Sequence, residues 1–116
     1  YRAQVDALLP LQSPSGLWHT VLTDPDSYEE VSGSAAITAG IQKGLRMGIL
    51  DDICRDSAAR GLRAVCQMID GTGTVGHVSA GTSMGMDADH YKNIVISPMA
   101  YGQALALLAL CESLDT

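Results

Sequence analysis

The sequence lacks any run of lysine or arginine. Its seven basic residues stand against thirteen acidic ones, so the formal net charge is −6 at pH 7. Proteins that bind nucleic acid depend on clustered positive charge that contacts phosphates, and nothing in this chain supplies it. The charge balance therefore argues against nucleic acid as a partner.

Long apolar stretches are also missing. The longest, residues 104–111, is far shorter than the roughly 20 apolar residues that a membrane-spanning helix needs. No charged segment followed by an apolar leader opens the chain, so we expect no membrane partner. The chain begins at Tyr1, inside a helical pattern, and we expect further sequence upstream. We predict a cytoplasmic protein, and a secretory leader in the upstream part stays open.

Cysteine is scarce and unpaired in its spacing. The three residues Cys54, Cys66 and Cys111 form no CxxC motif, and their odd number does not suit a disulfide framework. Each stands among apolar residues in a predicted helix, which favours buried thiols over a zinc site. Free thiols are typical of a reducing compartment.

Several catalytic and ligand-binding motifs are absent as well. There is no GxSxG nucleophile elbow and no GK[ST] phosphate loop, so we interpret the glycine- and threonine-rich residues 71–74 and 81–85 as turns. Thr82 and Ser83 could still bond a hydroxyl-rich ligand. The three histidines do not share a helix face with another ligand, and we predict no metal site.

The residues that are present predict an all-α fold built as one domain of helical hairpins. Ser32 or Ser34 is the expected cap of the second helix, and Ser97 that of the fourth, with Pro98 at its first position. Residues 71–95 predict a short hairpin followed by a long loop. The four predicted helices are residues 2–11, a second one running to residue 49, residues 51–69, and a fourth one ending at residue 111.

Glycine recurs every four residues along the second helix, at Gly40, Gly44 and Gly48. Each glycine costs up to about 1 kcal/mol relative to alanine in a helix interior. Three in register therefore predict the close approach of another helix. In the third helix, the apolar spacing predicts a buried stripe made of Ile53, Ala58, Leu62, Val65, Cys66 and Ile69. The fourth predicted helix is apolar on nearly every side, which predicts burial all round.

Residues 15–37 concentrate the polar chemistry of the chain. Four acids lie there, Asp24, Asp26, Glu29 and Glu30, and paired carboxylates are what glycosidic bond hydrolysis commonly requires. The alternative is a negatively charged approach to a helix N-terminus, and for Glu30 both interpretations stay open. The Asp24-Pro25-Asp26 stretch is a turn signature.

Two further residues of this loop suit a sugar site. Trp18 is the only tryptophan in a chain without phenylalanine, and it could stack on a sugar ring or belong to the apolar core. His19 could donate a hydrogen bond to a substrate oxygen or lie on the surface. The whole pattern is consistent with carbohydrate binding.

The ordered motifs GLWH, VL, DPDSY, an acid leading into SGSA, and KGLRMGIL resemble the C-terminal part of glycoside hydrolase family 105. The stretches DGTGTVGHVSAGTSMG and DADHYKN resemble the glycine-rich loop and the tyrosine-bearing segment of that family. These unsaturated rhamnogalacturonyl hydrolases are related to the unsaturated glucuronyl hydrolases of family 88. The resemblance covers essentially the whole chain.

The resemblance implies part of an (α/α)6 toroid of six inner and six outer helices. It also implies removal of a 4,5-unsaturated uronic acid from pectin-derived rhamnogalacturonan oligosaccharides by hydration of the vinyl ether, without metal or cofactor. The aspartate that protonates the double bond in that family lies on an upstream helix, so the resemblance implies no catalytic residue here. It implies a chain that is inactive alone and that self-associates or joins the rest of the barrel.

The resemblance assigns substrate-binding roles to Trp18, His19, Ser32, Ser34, Thr82 and Tyr91. It assigns structural or positioning roles to Glu30, Gly40, Gly44 and Gly48. Val31 and the Ala36-Ile37 pair depart from the residues common in the family, so the exact sugar stays open. The alternative from a different class is a helical carbohydrate-binding or interaction module that kept the fold without the active site.

Overall fold

The computed structural model describes residues 1–115, and it is mostly helical, as the sequence predicts. Two strands of two residues each form one small antiparallel sheet. The helices are α1 (Arg2–Leu8), α2 (Val31–Arg46), α3 (Arg55–Gln67), α4 (Ala88–Lys92) and α5 (Ala100–Leu114), the strands are β1 (Trp18–His19) and β2 (Glu29–Glu30), and two 3₁₀ turns span Leu9–Leu11 and Asp52–Cys54.

Helix α2 is the centre of the structure. It packs mainly against α5 and secondly against α3. One core cluster joins α2 with α3 and α5, and a second joins α2 with α1 and the start of α3. The first cluster consists of Leu17, Val31, Ala35, Ala64, Val65, Val75, Val78 and Ala106, and the second of Val5, Trp18, Ile41, Leu50, Cys54 and Ala58. Burial of these apolar side chains is the main stabilising contribution.

Helix α2 is capped by Glu30, so the prediction of Ser32 or Ser34 as cap is wrong. The Glu30 carboxylate accepts a hydrogen bond from the Gly33 N–H at 2.6 Å. Pairing of β1 with β2 keeps the chain extended up to Glu30, and a cap residue needs that conformation. Both serines therefore fall inside the first turns of the helix.

Within residues 1–115, the glycine stripe makes no close contact with another helix along its length, so the predicted contact is not found between the helices of this chain. No atom of the described chain lies within 4 Å of a methyl group added at Gly40. Gly44 is crowded by Tyr1 and by Leu50, whose Cδ1 would lie 2.7 Å from the added carbon. Gly48 lies after the end of α2 with a φ of +67°, a conformation that terminates helices and favours glycine.

The buried face of α3 is made mostly of small residues, and it confirms the predicted stripe only at Ala58 and Val65. Ile53 is 82% exposed, and Cys66 is exposed as well. The buried residues are Ser57, Ala58, Gly61, Ala64 and Val65. Gly61 lies against Thr38 of α2, with no space for a side chain, because the two helices approach closely there.

Only one of the three predicted buried thiols is buried. Cys54 is inside the core, and burial raises the pKa of its thiol. Cys66 and Cys111 lie on exposed helix faces of this chain. Both stand beside apolar residues in sequence, but the helical rotation turns them away from α2.

Helix α5 begins later and is less covered than its sequence predicts. Ser97 and Pro98 stay outside the helix, because the Ser97 N–H donates to the Val78 carbonyl at 2.8 Å. Within this chain α5 is not buried on all sides, because Leu107 is 61% exposed. The small residues Gly102, Ala106 and Ala109 face the core, because they let α5 approach α2, and most of the large side chains point outward.

Residues 69–97 are more ordered than the predicted hairpin and long loop. A bridge between Ile69 and Val75 closes the hairpin, and a second bridge pairs Ser79 with Ile96. The short helix α4, which lies between Ser79 and Ile96, was not predicted. Its cap is Asp87, whose carboxylate accepts from the His90 N–H at 3.1 Å.

Candidate functional site

A cavity of about 410 Å³ opens at the N-terminal end of α2. Three parts of the chain enclose it: the β1 strand, the first turns of α2, and the segment from Ser79 to Tyr91. All six residues predicted to bind substrate lie around it, namely Trp18, His19, Ser32, Ser34, Thr82 and Tyr91. Glu30 lies there too, whereas the three stripe glycines do not.

Sequence reasoning missed some residues of this cavity, among them Ser79 and Tyr101. The Tyr101 hydroxyl donates to the Ser79 carbonyl and accepts from the Gly81 N–H, the latter at 2.7 Å. Nothing local marks Tyr101, because its partners lie about 20 residues earlier.

Glu30 connects two distant parts of the cavity wall. Its carboxylate accepts from the Ser32 hydroxyl at 2.7 Å and from the Gly33 N–H at 2.6 Å. It also accepts from the Ser79 N–H at 2.9 Å, across 49 residues of sequence. The side chain is 9% exposed, so these bonds replace most of its contact with water. Its contacts are those of a helix cap and a loop anchor.

Ser34 and Trp18 form the bottom of the cavity and are bound to each other. The Ser34 hydroxyl donates to the Glu30 carbonyl at 2.7 Å and accepts from the Trp18 backbone N–H at 2.8 Å. The Trp18 side chain is 1% exposed, and its indole N–H donates to the Leu8 carbonyl at 2.8 Å. The indole therefore belongs to the apolar core, the second of the two interpretations that its sequence allowed.

His19 is held by the turn that follows β1. Its Nδ1 lies 2.6 Å from the Ser27 carbonyl, and a carbonyl only accepts, so Nδ1 carries a proton. His19 is one of the residues that line the cavity, and Nε2 is the ring nitrogen that this bond leaves available. The turn itself is confirmed: Asp24 Oδ1 accepts from the Asp26 N–H at 2.9 Å.

Glu29 points away from the cavity. Its carboxylate accepts from the hydroxyls of Ser13, at 2.5 Å, and Ser15. Burial raises the pKa of the Glu29 carboxyl, but these hydrogen bonds and two nearby histidines outweigh burial, and the pKa lies below its ordinary value. The Glu29–Glu30 pair is thus not two acids facing one substrate.

The outer side of the cavity carries Thr82 and Tyr91. The Tyr91 hydroxyl accepts from the Gly85 N–H at 3.2 Å. The next residue, Lys92, pairs with Asp24 at 2.8 Å and so ties this segment to the turn after β1. The hydrogen bond between them lowers the pKa of the Asp24 carboxyl and raises the pKa of the Lys92 ammonium group.

Within residues 1–115, no three histidine, cysteine or acidic side chains gather where they could hold a metal ion. In the same part of the chain, every helix is too short or too polar to cross a lipid bilayer.

Comparison with curated proteins finds two enzymes of similar sequence. The chain is 38% identical over 116 residues to the unsaturated rhamnogalacturonyl hydrolase YesR of Bacillus subtilis (strain 168), with 99% of this chain and 32% of YesR covered. It is 32% identical over 117 residues to the unsaturated 3S-rhamnoglycuronyl hydrolase of Alteromonas sp. (strain LOR), with 98% of this chain and 27% of that enzyme covered. The chain thus spans about a third of their length.

Solved structures agree with these relatives. A structure described as a possible member of GH105 family, from Salmonella enterica subsp. enterica serovar Paratyphi A str. ATCC 9150, superposes with a TM-score of 0.95 at 41% identity. The match covers 97% of this chain and 30% of that one. The predicted fold class, part of a helical toroid, is thereby confirmed.

The family profile described as Glycosyl Hydrolase Family 88 matches residues 1–116, the whole chain. The resemblance found in the sequence is confirmed by this match together with the two relatives and the GH105 neighbour. The chain therefore belongs to glycosyl hydrolase family 88.

Proposed function

We propose that this chain supplies one wall of the substrate site of an unsaturated rhamnogalacturonyl hydrolase. The reaction is removal of a 4,5-unsaturated uronic acid from a pectin-derived oligosaccharide by hydration of its vinyl ether bond. The observation that carries the proposal is the single cavity around which all six predicted binding residues lie. The name of the Bacillus subtilis relative supports the choice of substrate.

The residues around the cavity fall into two groups: those with polar atoms available to a ligand, and those that shape or position the cavity wall. His19 offers Nε2, Ser32 offers oxygen lone pairs, and Thr82 and Tyr91 offer exposed or half-buried side chains on the outer side. Trp18 and Ser34 shape the bottom of the cavity, and Glu30 positions the loop above it. Gly44 keeps the far end of α2 close to Leu50.

We propose that the catalytic acid lies outside this chain, in the remainder of the barrel. Glu30 is occupied by three hydrogen-bond donors, and Glu29 faces away from the cavity. Neither has the geometry of an acid that approaches a substrate double bond. We therefore expect residues 1–116, taken as one domain, to be inactive alone.

Hydrolysis of an unsaturated uronyl-rhamnose disaccharide by the complete protein that carries this chain tests the proposal. The absorbance of the double bond should disappear with the complete protein and persist with the 116-residue chain at equal concentration. No loss of absorbance with the complete protein contradicts the proposed function. A loss with the short chain contradicts the placement of the catalytic acid.

We further propose that the exposed apolar face of α5 packs against the rest of the barrel in the complete protein. Leu107, Leu108 and Leu114 are 61%, 55% and 85% exposed in this chain, and such faces are normally covered. The short chain should therefore self-associate in sedimentation, more than the complete protein does. A strictly monomeric, folded short chain contradicts this expectation.

We propose a cytoplasmic location, and the two exposed thiols Cys66 and Cys111 support it, because free thiols persist in a reducing compartment. Thiol titration and cell fractionation of the complete protein test this. Recovery from the culture medium contradicts it.

A further inference from the structure

His77 has an unusual backbone conformation. Within residues 1–115 it is the one non-glycine residue with a positive φ, at +57°. This left-handed conformation is disfavoured for residues that carry a side chain, although histidine and asparagine adopt it more readily than alanine does. Residues held in such conformations cluster at functional sites, where the surrounding structure keeps them in place. The backbone of His77 therefore points to a role in a nearby site.

The left-handed turn at His77 changes the direction in which the following side chains point. Side chains of an extended segment alternate between its two faces, so residues three positions apart should point to opposite faces. Val75 and Val78 are nevertheless both buried in the same core cluster. The turn at His77 thus brings Val78 back to the core. There it packs against α5 at Gly102, where an added methyl carbon would lie 2.6 Å from Val78 Cγ2.

Two bonds of His77 hold the chain on either side of Glu30. The His77 carbonyl accepts from the Val31 N–H at 2.9 Å. Val31 is the first residue of α2, so its N–H has no acceptor within the helix. The His77 ring Nδ1 lies 3.3 Å from the Glu29 carbonyl, and a carbonyl only accepts, so Nδ1 donates this bond. One residue therefore binds both neighbours of Glu30.

The segment that follows His77 binds the Glu30 side chain itself. The Ser79 N–H donates to Glu30 Oε1 at 2.9 Å, and both residues line the cavity. Ser79 comes two residues after His77, so the direction of its N–H depends on the turn there. The same Glu30 oxygen accepts from the Ser32 hydroxyl, which belongs to another cavity residue. A change at His77 should therefore reach Ser79, Glu30 and Ser32 together.

We propose that His77 is a positioning residue of this cavity. Its left-handed backbone and its two bonds hold the contact between Ser79 and Glu30 in place. His77 is not among the residues that line the cavity, so it acts on a ligand through those two residues. The identity of the substrate rests on the proposed function. Because the catalytic acid is placed outside this chain, a change at His77 should alter substrate binding more than turnover.

Two substitutions at position 77 test this role. Alanine is strained at a positive φ and has no ring to donate, so His77→Ala should disturb the contact between Ser79 and Glu30. Asparagine tolerates this conformation, and its amide N–H can donate to the Glu29 carbonyl, so His77→Asn should preserve the contact. Amide exchange at Ser79 is measured in the complete protein without substrate. KM and kcat are measured with the unsaturated uronyl-rhamnose disaccharide.

Gly73→Ala is the matched control. Gly73 lies in the preceding hairpin with a φ of +85°, and a methyl group added there meets no atom within 4 Å. The substitution introduces the same kind of backbone strain away from Glu30, because the bonds of Gly73 lead to Asp70 and Gln103. An effect of strain alone would appear in both alanine variants.

We expect His77→Ala to speed amide exchange at Ser79 about tenfold and to raise KM about three- to tenfold, with kcat within about twofold of wild type. His77→Asn and Gly73→Ala should stay within about twofold of wild type in exchange at Ser79 and in KM. An unchanged KM or an unchanged Ser79 exchange rate in His77→Ala overturns the proposal. A rise of KM in His77→Asn or Gly73→Ala as large as in His77→Ala overturns it as well.

The exchange measurement separates this role from the proposed function, because it needs no substrate. If the complete protein fails to hydrolyse the disaccharide while exchange at Ser79 responds as expected, the proposed function is refuted and the action of His77 on the cavity wall stands. If the disaccharide is hydrolysed and His77→Ala behaves like wild type, only the role of His77 is refuted.

Discussion

The cavity has two sides that are built in opposite ways. Its floor, defined as Trp18, Glu30 and Ser34, is buried, and the hydrogen-bonding groups named above all have partners inside the protein. Its rim, defined as residues 80–92, is mostly exposed and is held by a few hydrogen bonds and one ion pair.

The difference separates stability from recognition. A floor residue that touches the cavity also holds together elements of the core, so changing it alters the fold and the site together. A rim residue has few contacts to lose, so changing it should act on the local order of the rim and on ligand binding. Mutations on the two sides should therefore show clearly different effects on the free energy of unfolding.

The largest contrast is expected from Trp18→Ala against Tyr91→Ala. Loss of the buried indole should lower the free energy of unfolding by about 3 to 5 kcal/mol, whereas loss of the half-buried Tyr91 ring should cost about 1 kcal/mol or less. Urea unfolding of the complete protein measures both. Equal effects would show that floor and rim are not distinct.

Glu30→Ala should cost about 2 to 3 kcal/mol of unfolding free energy. The Gly33 and Ser79 N–H groups lose their acceptor, and unsatisfied buried donors are costly. Glu29→Ala is the matched control, and we expect about 1 kcal/mol or less, because its serine partners can turn to water. Chemical denaturation checks both variants, and a larger loss for Glu29 contradicts the prediction.

Tyr101→Phe should have an intermediate effect, about 1 kcal/mol, because it removes the hydroxyl that bonds both the Ser79 carbonyl and the Gly81 N–H at the start of the rim. The Gly81 N–H can find water in its place. Amide exchange should speed up at Gly81 and its neighbours and stay unchanged in α3. Faster exchange throughout the core contradicts this limited role.

The smallest effect on global stability is expected from Lys92→Met, which breaks the pair with Asp24. The rim should exchange its amide protons faster, while the midpoint of urea unfolding stays the same. Arg55→Met breaks an exposed ion pair far from the cavity and serves as the control. A changed unfolding midpoint with unchanged exchange at the rim contradicts the prediction.

The same pair predicts a pH dependence of rim order. The pKa of Asp24 lies below its ordinary value of 3.8. The contribution of the ion pair to rim order is therefore present above pH 3.8, and it is lost as the pH falls through the lowered pKa of Asp24. The pKa of Lys92 lies above its ordinary value of 10.5. The contribution of the ion pair to rim order is therefore present below pH 10.5, and it is lost as the pH rises through the raised pKa of Lys92. Carbon NMR of the Asp24 carboxyl should show its pKa return toward 3.8 in Lys92→Met.

The sequence by itself determined the helical class, the approximate extent of the four longer helical segments, and the Asp24-Pro25-Asp26 turn. These features depend on apolar periodicity and on hydrogen bonds between residues a few positions apart. Such interactions can be inferred from neighbours in the chain. The six residues to which the family resemblance assigned substrate binding lie around one cavity, although the sequence did not predict that they would meet there.

Only the tertiary structure decided which polar groups are free. The bond from Ser79 to Glu30 spans 49 residues, and Trp18 is buried because α1 and α2 close around it. The open space at Gly40 and the exposure of the α5 leucines also depend on how segments distant in sequence pack together. Burial and hydrogen-bond partners depend on which segments, distant in sequence, contact each other in the fold. The residues next to a position in the sequence do not determine those contacts.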